Sequence, residues 1–399
     1  MNNDLLFEMI SEMNCWNGPI SSGAERASYL EKLTSLLKQH DFVHLSGIKY
    51  GGKTTLLMQY INGQHKNLSI PFANFLYLDL SRISIQTYIT PDFLKRSLEL
   101  YIEHHNPQGQ IYFFIDGVQA IENWIEFDAI LSKLHEQYPI KVVTTSSARF
   151  ALSKEYHTME VSPLDFIESL QFKQILPASQ SKPVLLHHLR EYMQYGGFPE
   201  VVLEKNVKHK KTILNQYLLT IIEQELVLTN HIKNVLDVKQ LVAYLLKNTA
   251  QTVSTYQIEK HLGISNENAG RYFTYLEENY LVDYVSTHTL DRIDQRSPKK
   301  VFCADFGLSS ILGIHLPHHE SQLLEMLVYQ KLKKTYSRVW YQKEEEGTCF
   351  LAGDEKKQDI FNVRWSIDSN CEIKNKTIYW ENNSGLQSPL LMSIVDFML

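Results

Sequence analysis

The first 180 residues alternate short apolar runs with stretches in which apolar positions recur at helical spacing. The apolar runs predict four strands, at residues 42–45, 74–78, 111–115 and 141–145. The helical spacing predicts helices that begin at Lys53, Pro91 and Trp124, after a helical segment over residues 1–40. Strands that are apolar on both faces and alternate with helices are typical of a parallel sheet with helices on both sides. We therefore expect an α/β domain over residues 41–178.

The pattern changes after Pro163, where the strand signals stop. Helical periodicity dominates residues 179–245. Residues 246–300 combine a helix, a turn at Gly263, a second helix capped near Ser265 and then a strand, which is the order of a winged helix-turn-helix. Strand and helix signals mix again over residues 301–399, which we expect to form a small α+β domain.

One motif carries specific chemistry. The segment from Gly47 to Thr54 fits the pattern G-x-x-x-x-G-K-[ST], and it follows a predicted strand and opens a predicted helix. Glycines let backbone N–H groups wrap a phosphate, and the helix N-terminus adds partial positive charge. Lys53 would reach the β- and γ-phosphates of ATP, and the Thr54 hydroxyl would hold Mg²⁺. The alternative is a glycine-rich turn that binds nothing. We expect ATP to contact Gly47, Ile48, Lys49, Tyr50, Gly51, Gly52, Lys53, Thr54, Thr55 and Ser146.

Asp116 ends the third strand, where a P-loop protein needs a second acid for its metal. We expect Thr54 and Asp116 to hold Mg²⁺, although a strand-end turn residue is the alternative for Asp116. In P-loop ATPases with an extra strand between these motifs, a glutamate that orients the attacking water usually follows the aspartate, whereas here Gly117 follows. Loss of a positioned base typically costs 10²–10⁴-fold in rate. Gln119 and Glu122 are the candidate substitutes, so we expect slow hydrolysis or none.

Hydroxyl groups cluster at the end of the fourth strand, from Thr144 to Ser147. They would lie near a γ-phosphate, but such a cluster is also typical of a capping turn. Arg149 follows closely and is either a phosphate sensor or a solvated surface arginine. A ring assembly would need an arginine that reaches a neighbour's γ-phosphate, for which Arg149 and Arg190 are the candidates.

Several motifs follow one another along the chain. They are Gly47 to Leu56, Phe114 to Gln119, Thr144 to Ser147, Pro163 to Glu168, the G-G-F-P-E of Gly196 to Glu200, and Lys300 to Leu308. In this order they resemble a family of bacterial and archaeal AAA-type P-loop ATPases. The resemblance covers nearly the whole chain. It implies a P-loop domain with an extra strand, a helical lid over 179–245, a winged helix over 246–300 and a restriction-nuclease-like domain over 301–399. It also implies the usual roles for Lys53, Thr54 and Asp116.

The nuclease-like part departs from the family pattern. Restriction-type nucleases need an acid on a helix, an acid on one strand and an acid with a lysine on the next. The chain keeps Glu325 on the helix, but residues 347–350 and 361–363 lack the other acids and the lysine. Glu372-Ile373-Lys374 fits E-x-K, yet a hairpin surface explains so short a pattern better. We expect a degenerate domain that packs or binds a partner and does not cleave DNA.

The predicted winged helix leaves two functions open. Its second helix would display Asn266, Asn268, Arg271 and Tyr272, but also Glu267, Glu277 and Glu278. Such acids are unfavourable beside DNA phosphates. Arg292, Arg296, Lys299 and Lys300 add positive charge nearby. Contact with duplex DNA and a role in packing or subunit contacts therefore stay equal alternatives.

Composition narrows the class of protein. The chain has 399 residues, 44% of them hydrophobic and 21% charged, which is ordinary for a globular protein of two to three domains. A net charge of −6 excludes a basic field over the whole molecule. The four cysteines show no paired spacing, which favours a reducing compartment. No apolar run approaches the ~20 residues of a membrane span, so we expect a cytoplasmic protein with no membrane partner.

The leading hypothesis is an ATP-binding AAA-type protein that acts as a nucleotide-dependent switch and hydrolyses ATP slowly or not at all. Its partners would be ATP with Mg²⁺, and duplex DNA or a protein at the winged helix. A homo-oligomer is also open. The second hypothesis is a DNA-binding or scaffold protein whose P-loop is mainly structural. An active nuclease ranks last.

Overall fold

The structure is a computed structural model of the chain. It describes residues 2–14, 16, 18–19, 22–121, 123–149, 152–287, 298–314, 319–343, 348–354, 357–367, 375–382 and 391–399. Two compact units divide the chain, Met1–Ser162 and Pro163–Leu399. The five-part division expected from the sequence stays a prediction.

The first unit is a five-stranded sheet with helices. Its helices are α1 (Asn3–Met13), α2 (Ala27–Gln39), α3 (Lys53–Leu68), α4 (Ile83–Gln86), α5 (Pro91–His105) and α6 (Trp124–Gln137). Its strands are β1 (Phe42–Ser46), β2 (Phe75–Asp79), β3 (Ile111–Asp116), β4 (Ile140–Ser146) and β5 (His157–Glu160). The strand order is β2-β3-β4-β1-β5, and every pairing is parallel. All five residues of β1 are buried, as expected for a strand covered on both faces. The predicted parallel α/β sheet is confirmed, with β2 at one edge.

Two details of this unit differ from the sequence predictions. The helical segment predicted over residues 1–40 contains two helices, α1 and α2, and the described residues between them are not helical. The edge strand β5 was not predicted, because its sequence His-Thr-Met-Glu contains a single apolar residue, Met159, and the two residues before it are exposed. An edge strand needs no apolar run, since one of its sides meets no neighbouring strand.

Side chains cover the open edge of β2. The Asn14 amide donates to the Tyr77 carbonyl at 2.9 Å and accepts from the Tyr77 N–H at 2.8 Å. The Trp16 indole donates to the Phe75 carbonyl at 2.8 Å. An unpaired strand edge invites association with other chains, and these contacts occupy backbone groups that would otherwise be exposed there.

The second unit contains helices and two sheets. Its helices are α7 (Phe166–Phe172), α8 (Lys182–Tyr195), α9 (Pro199–Leu203), α10 (Val207–Thr220), a π-helical stretch (Ile221–Leu228), α11 (Val235–Lys247), α12 (Thr255–Leu262), α13 (Asn266–Glu278), α14 (Phe306–Ser310), α15 (Glu320–Thr335) and α16 (Ile394–Met398). A three-stranded sheet of order β6-β8-β7 contains β6 (Thr252–Val253), β7 (Val282–Val285) and β8 (Lys299–Cys303). A five-stranded sheet contains β9 (Arg338–Lys343), β10 (Thr348–Gly353), β11 (Gln358–Ile367), β12 (Lys376–Asn382) and β13 (Leu391–Ser393), in the order β13-β12-β11-β10-β9.

Local signals explain how α12 and α13 are joined. Gly263 ends α12 with φ +71°, a conformation that favours glycine. The Ser265 hydroxyl then caps α13 by accepting from the Asn268 N–H at 3.4 Å. Both signals were predicted. One prediction was wrong, because Tyr272 is only 5% exposed. It shares the buried face of α13 with Ala269, three residues before it, and is not displayed.

None of the helices in the described ranges is long and apolar enough to cross a membrane.

Candidate functional site

The glycine-rich loop joins β1 to α3 and has the backbone that its glycines allow. Gly47 and Gly52 have φ angles of +146° and +97°, which L-residues with side chains rarely adopt. A Cβ atom on Gly47 would lie 2.2 Å from the Val161 carbonyl oxygen, so only glycine fits. The loop is closed by a hydrogen bond from the Gly51 N–H to the Ile48 carbonyl at 3.1 Å. The segment is thus a compact turn at the N-terminus of a 16-residue helix.

The other loop residues predicted to contact a nucleotide differ in exposure. Ile48 is buried at 2% exposure, and Tyr50 has a φ of +67° despite its side chain. The Lys49 amine lies 6.0 Å from the centre of the Tyr50 ring. Thr55 is exposed on the first turn of α3. Tyr50 is therefore the strained non-glycine position of this loop.

Lys53 is buried at 8% exposure, and its amine points back into the loop. It donates to the carbonyl oxygens of Gly47 at 2.8 Å and Ile48 at 3.0 Å. A buried ammonium group needs such partners, because burial of an unpaired charge is costly. The amine is thus already held at the loop that a phosphate would enter.

Thr54 and Asp116 meet at the carboxyl edge of the sheet. The Thr54 hydroxyl donates to Asp116 Oδ2 at 2.6 Å, and the Tyr77 hydroxyl donates to the same oxygen at 2.8 Å. The Thr145 hydroxyl donates to Asp116 Oδ1. Burial, together with the Asp116 carboxylate, raises the pKa of Tyr77 far above its usual range. Tyr77 is therefore a donor, and both oxygens of Asp116 are engaged.

This pair of oxygens fits a magnesium ion. Mg²⁺ prefers one or two protein oxygens and completes its shell with water and substrate phosphate. The Thr54 and Asp116 oxygens are 2.6 Å apart and lie beside the loop that would hold the phosphates. Within the described ranges, no three His, Cys, Asp or Glu side chains converge as metal ligands. A magnesium ion held by this pair would complete its shell with water and phosphate oxygens.

A buried histidine joins the strand before the loop to the end of β4. His44 is 2% exposed, with its Nδ1 2.8 Å from Thr144 Oγ1 and its Nε2 3.1 Å from Ser146 Oγ. Burial, with a smaller contribution from the Lys53 charge, lowers the pKa of His44 to about 3. The ring is therefore neutral near pH 7. The hydroxyls predicted to face a γ-phosphate are thus part of a buried network.

The position after Asp116 has a backbone conformation that favours glycine. Gly117 has a φ of +82°, and its N–H is 3.1 Å from both the carbonyl oxygen and the hydroxyl oxygen of Thr145. The Gln119 side chain accepts from the Ser147 N–H at 3.3 Å, which places it at the end of β4. Glu122, the other candidate substitute for the missing carboxylate, lies outside the described residues.

Arg26 is a buried arginine that contacts the back of the loop. It is 4% exposed, and its Nη1 donates to the carbonyl oxygens of Gly51 at 3.0 Å and Ser162 at 2.9 Å. Its guanidinium carbon lies 4.1 Å from the centre of the Tyr29 ring. The residues that precede α2 therefore brace the loop. The sequence analysis missed Arg26, Tyr77 and His44, because each belongs to a segment whose periodicity indicated structure alone.

The two candidate arginines have other partners. Arg149 forms an ion pair with Glu160 at 3.6 Å. The Arg190 guanidinium lies 5.5 Å from the centre of the Trp380 ring. Neither contact tests a role in an assembly.

Three of the motifs meet in the second unit. The Asp305 carboxylate accepts from the N–H groups of Gly197 at 2.6 Å and Gly307 at 2.8 Å. A Cβ on Gly196 would lie 1.8 Å from Asp305 Oδ1, and a Cβ on Gly197 would lie 1.9 Å from the Leu164 carbonyl oxygen. Burial raises the pKa of Asp305 to about 7. The glycines of these motifs therefore allow a close approach of backbone segments that a side chain would prevent, and Asp305 links the segments by hydrogen bonds.

Glu325 is part of a buried ion pair. Its carboxylate contacts the Lys300 amine, which also donates to the Thr348 hydroxyl. Lys300 is 7% exposed, so its charge does not face solvent as a DNA-binding lysine would. Arg292, Arg296 and the Glu372-Ile373-Lys374 segment lie outside the described residues.

Comparison with known protein families gives matches to two regions of the chain. Residues 39–170 match the family model of the AAA domain, and residues 186–318 match a domain of unknown function (DUF8612). An uncharacterized protein of Haemophilus influenzae is 28% identical over 377 residues, which cover 90% of this chain and 91% of that protein. An uncharacterized protein of Methanocaldococcus jannaschii is 27% identical over 305 residues, or 72% of this chain. That alignment covers 65% of the relative, so the chain spans less than two thirds of its length.

Among solved structures, the Walker-type ATPase of Pyrococcus abyssi is 13% identical, with a TM-score of 0.48 over 73% of this chain and 96% of that protein. A likeness at this level carries no conclusion about chemistry. The family match coincides with the glycine-rich loop, the parallel sheet and the Thr54–Asp116 contact. Residues 39–170 are therefore similar to the AAA domain in sequence, and they carry a glycine-rich loop on a parallel sheet.

Proposed function

We propose that the chain binds ATP with Mg²⁺ and acts as a nucleotide-dependent switch that hydrolyses ATP slowly. The observation that carries this proposal is the contact between Thr54 and Asp116 at 2.6 Å, next to a loop that holds the Lys53 amine. In a structural turn, neither a buried ammonium nor an aligned carboxylate would be needed at this edge. Burying charged groups costs stability, so a turn with no ligand would gain nothing by having both here.

The proposed roles follow from these positions. The N–H groups of the loop, residues 47–52, hold the phosphates, and Lys53 exchanges the carbonyl oxygens of Gly47 and Ile48 for phosphate oxygens. Lys49, Tyr50 and Thr55 are proposed to line the outer side of the nucleotide. Ser146, whose hydroxyl lies in the buried network with His44, is proposed to be the β4 residue at the γ-phosphate end. Thr54 and Asp116 hold Mg²⁺, which when bound neutralises phosphate charge. These assignments are supported by the geometry of the loop and by its similarity to the AAA domain.

Slow hydrolysis is proposed because Gly117 has no side chain that could orient water. Its φ of +82° also makes a side chain there unfavourable. Gln119 and Glu122 are the substitutes proposed from the sequence. Gln119 is an amide and accepts no proton at neutral pH, so it could orient water but could not deprotonate it.

The second unit is proposed to contain the helical lid over residues 179–245, the winged helix over 246–300 and the degenerate nuclease-like domain over 301–399. Support for the winged helix comes from the succession of α12, α13, β7 and β8, in which β7 and β8 are antiparallel. Arg271 is exposed on α13, but Glu267 is exposed on the same helix. A DNA or protein partner at α13 and a homo-oligomer are proposals of equal standing.

The alternative function is a DNA-binding or scaffold protein whose P-loop is structural. One observation favours it: the Lys53 amine already has two carbonyl partners without a ligand. A loop that satisfies its own charge could be a stable turn.

The experiment that separates the two is ATP affinity, measured with a fluorescent ATP analogue and Mg²⁺ on the full chain and on Lys53→Ala. Binding that Lys53→Ala abolishes supports the ATP site. Lys66→Ala, which changes an exposed lysine in the last turn of α3, is the matched control and should retain the affinity. Equal affinity in the wild type and Lys53→Ala would exclude it. Filter binding of duplex DNA with and without ATP, at two salt concentrations, then tests the switch, which requires ATP-dependent DNA affinity if DNA is the partner.

A further inference from the structure

A second carboxylate lies at the same sheet edge as Asp116. Asp79 ends β2 and is directly paired with Asp116 in the parallel ladder between β2 and β3. Neighbouring strands lie ~4.8 Å apart, so the two backbones end side by side. A hydrogen bond from the Leu80 N–H to the Asp116 carbonyl at 2.9 Å continues the ladder beyond Asp79. The position is therefore fixed by the sheet and not by a free loop.

The turn after Asp79 holds its carboxylate beside the residue that lacks one. Ser81 donates to Asp79 Oδ1 from its N–H at 3.0 Å and from its hydroxyl at 2.5 Å. A Cβ atom on Gly117 would lie 3.5 Å from the Ser81 nitrogen. The Ser81 turn and Gly117 are therefore neighbours. Asp79 thus carries a negative charge one strand away from the position where other P-loop ATPases carry their glutamate.

The two carboxylates differ in how they are occupied. Asp116 accepts from three side-chain hydroxyls, those of Thr54, Tyr77 and Thr145, and is 7% exposed. Each of its oxygens already accepts at least one of these hydroxyls, and the proposed function assigns Asp116 to Mg²⁺. The Asp79 side chain is 23% exposed, and its Oδ2 meets the Arg82 Nε at 3.5 Å, an ion pair at the solvent boundary. A carboxylate oxygen can accept more than one donor, so Asp79 can take a hydrogen bond from a water molecule.

We propose that Asp79 orients the attacking water in the slow ATP hydrolysis of this chain and accepts a proton from it. The proposal rests on the proposed function of the P-loop. The water oxygen forms a bond to the γ-phosphorus, and the bond from that phosphorus to the β–γ bridging oxygen breaks with its electron pair on ADP. One water proton passes to the Asp79 carboxylate and then to solvent. The products are ADP and inorganic phosphate.

The test compares single-turnover hydrolysis of radiolabelled ATP with ATP affinity, using the full chain throughout. Asp79→Asn keeps the size and the acceptor oxygen but loses the charge. It is expected to bind ATP within about threefold of the wild type and to hydrolyse it about 10²-fold more slowly or worse, the usual contribution of a positioned base. Asp79→Glu should recover part of the rate. Asp92→Asn, which changes an exposed aspartate on the first turn of α5, is the control and should match the wild type.

Each outcome bears on a different claim. Absence of ATP binding by the wild type refutes the proposed function. Tight binding with an Asp79→Asn rate within threefold of the wild type, or binding by a wild type that never hydrolyses ATP, overturns the role of Asp79 alone. If Asp79→Asn does not fold, Ser81→Ala is the second variant. It removes one donor to Asp79 and should lower the rate severalfold with unchanged affinity, whereas an unchanged rate overturns the proposal.

Discussion

Lowering the pH from 7 to 5 is expected to destabilise the first unit through His44. Histidine has an ordinary pKa near 6.5, which His44 regains in the unfolded chain, whereas in the folded chain its pKa is about 3. Between these two values the unfolded chain binds a proton that the folded chain does not. The contribution of His44 is thus complete above pH 6.5 and is lost as the pH falls towards 3. The loss is about 1.4 kcal/mol per pH unit, or about 2 kcal/mol at pH 5.

The structural reason is that protonation would disrupt a buried network. Both ring nitrogens face hydroxyls, of Thr144 and Ser146, and the Lys53 ammonium lies close enough to disfavour a second positive charge. His44→Asn removes the titrating group while it keeps a donor and an acceptor. Loss of one buried hydrogen bond should cost it about 1–3 kcal/mol at pH 7. The variant should, however, lose about 2 kcal/mol less than the wild type between pH 7 and pH 5.

The assay is urea unfolding followed by hydrogen exchange of peptides that cover β1 and β4, at both pH values. Local peptides are needed because a chain of two units need not unfold in one step. Other titrating groups are the same in both proteins, so they cancel in the comparison. His65→Asn, a change of an exposed histidine on α3, is the control. Equal pH dependence in wild type and His44→Asn, or an NMR titration of His44 with a midpoint near 6.5, would refute the reasoning.

Three further predictions concern single residues. Gly117→Glu should raise ATP turnover by about 10²-fold or more if a carboxylate is what the site lacks. Gly117→Gln is the control, because it has the same destabilisation of about 1–2 kcal/mol from a side chain at φ +82° but no charge. A similar rise in turnover in Gly117→Gln would contradict the role of the carboxylate. Arg26→Ala should weaken ATP binding about tenfold, because the Gly51 carbonyl loses its charged donor and such a hydrogen bond contributes roughly 1.5–3 kcal/mol. Unchanged ATP affinity in isothermal titration would show that Arg26 does not support the loop. Because the pKa of Asp305 is about 7 in the folded chain and 3.8 in the unfolded chain, the stability of the second unit should fall by about 1.4 kcal/mol per pH unit as the pH rises from 3.8 to 7. Urea unfolding should show this fall in the wild type and not in Asp305→Asn. A wild type whose stability does not fall as the pH rises would contradict the raised pKa.

The phosphate loop could be predicted because its chemistry is local. The order strand, glycine-rich turn, helix is contained in residues 42–57, and the glycines are required where φ is positive or where Val161 approaches. The partner of Thr54 was predictable for a related reason. Asp116 ends an apolar strand, and parallel strands bring their carboxyl ends to one edge. The predicted pair meets at 2.6 Å.

The rest of the site depends on which strands are neighbours, which no local pattern states. His44 lies in an apolar run, and its role follows only once β1 pairs with β4 and brings Thr144 alongside. Tyr77 and Asp79 are placed next to Asp116 only because β2 pairs with β3. Arg26 contacts Ser162, 136 positions later in the chain. The contacts of these residues therefore depend on long-range strand pairing, which hydrophobic periodicity along the chain does not indicate.

The site has an energetic consequence for ligand binding. Its polar groups already have partners: the buried Lys53 amine donates to two carbonyl oxygens, and the Thr54 hydroxyl donates to Asp116. An entering phosphate or metal must replace these hydrogen bonds, so the affinity reflects an exchange of bonds and not a sum of new ones. The same exchange would release the carbonyl oxygens of the loop and one oxygen of Asp116. Asp116 is in turn connected to the end of β4, because its other oxygen accepts from the Thr145 hydroxyl, which also accepts from the Gly117 N–H. A ligand that replaces bonds on both sides of this network changes it more than one that occupies an empty pocket. In the proposed switch, this exchange of bonds is what would let the protein respond to ATP while hydrolysing it slowly.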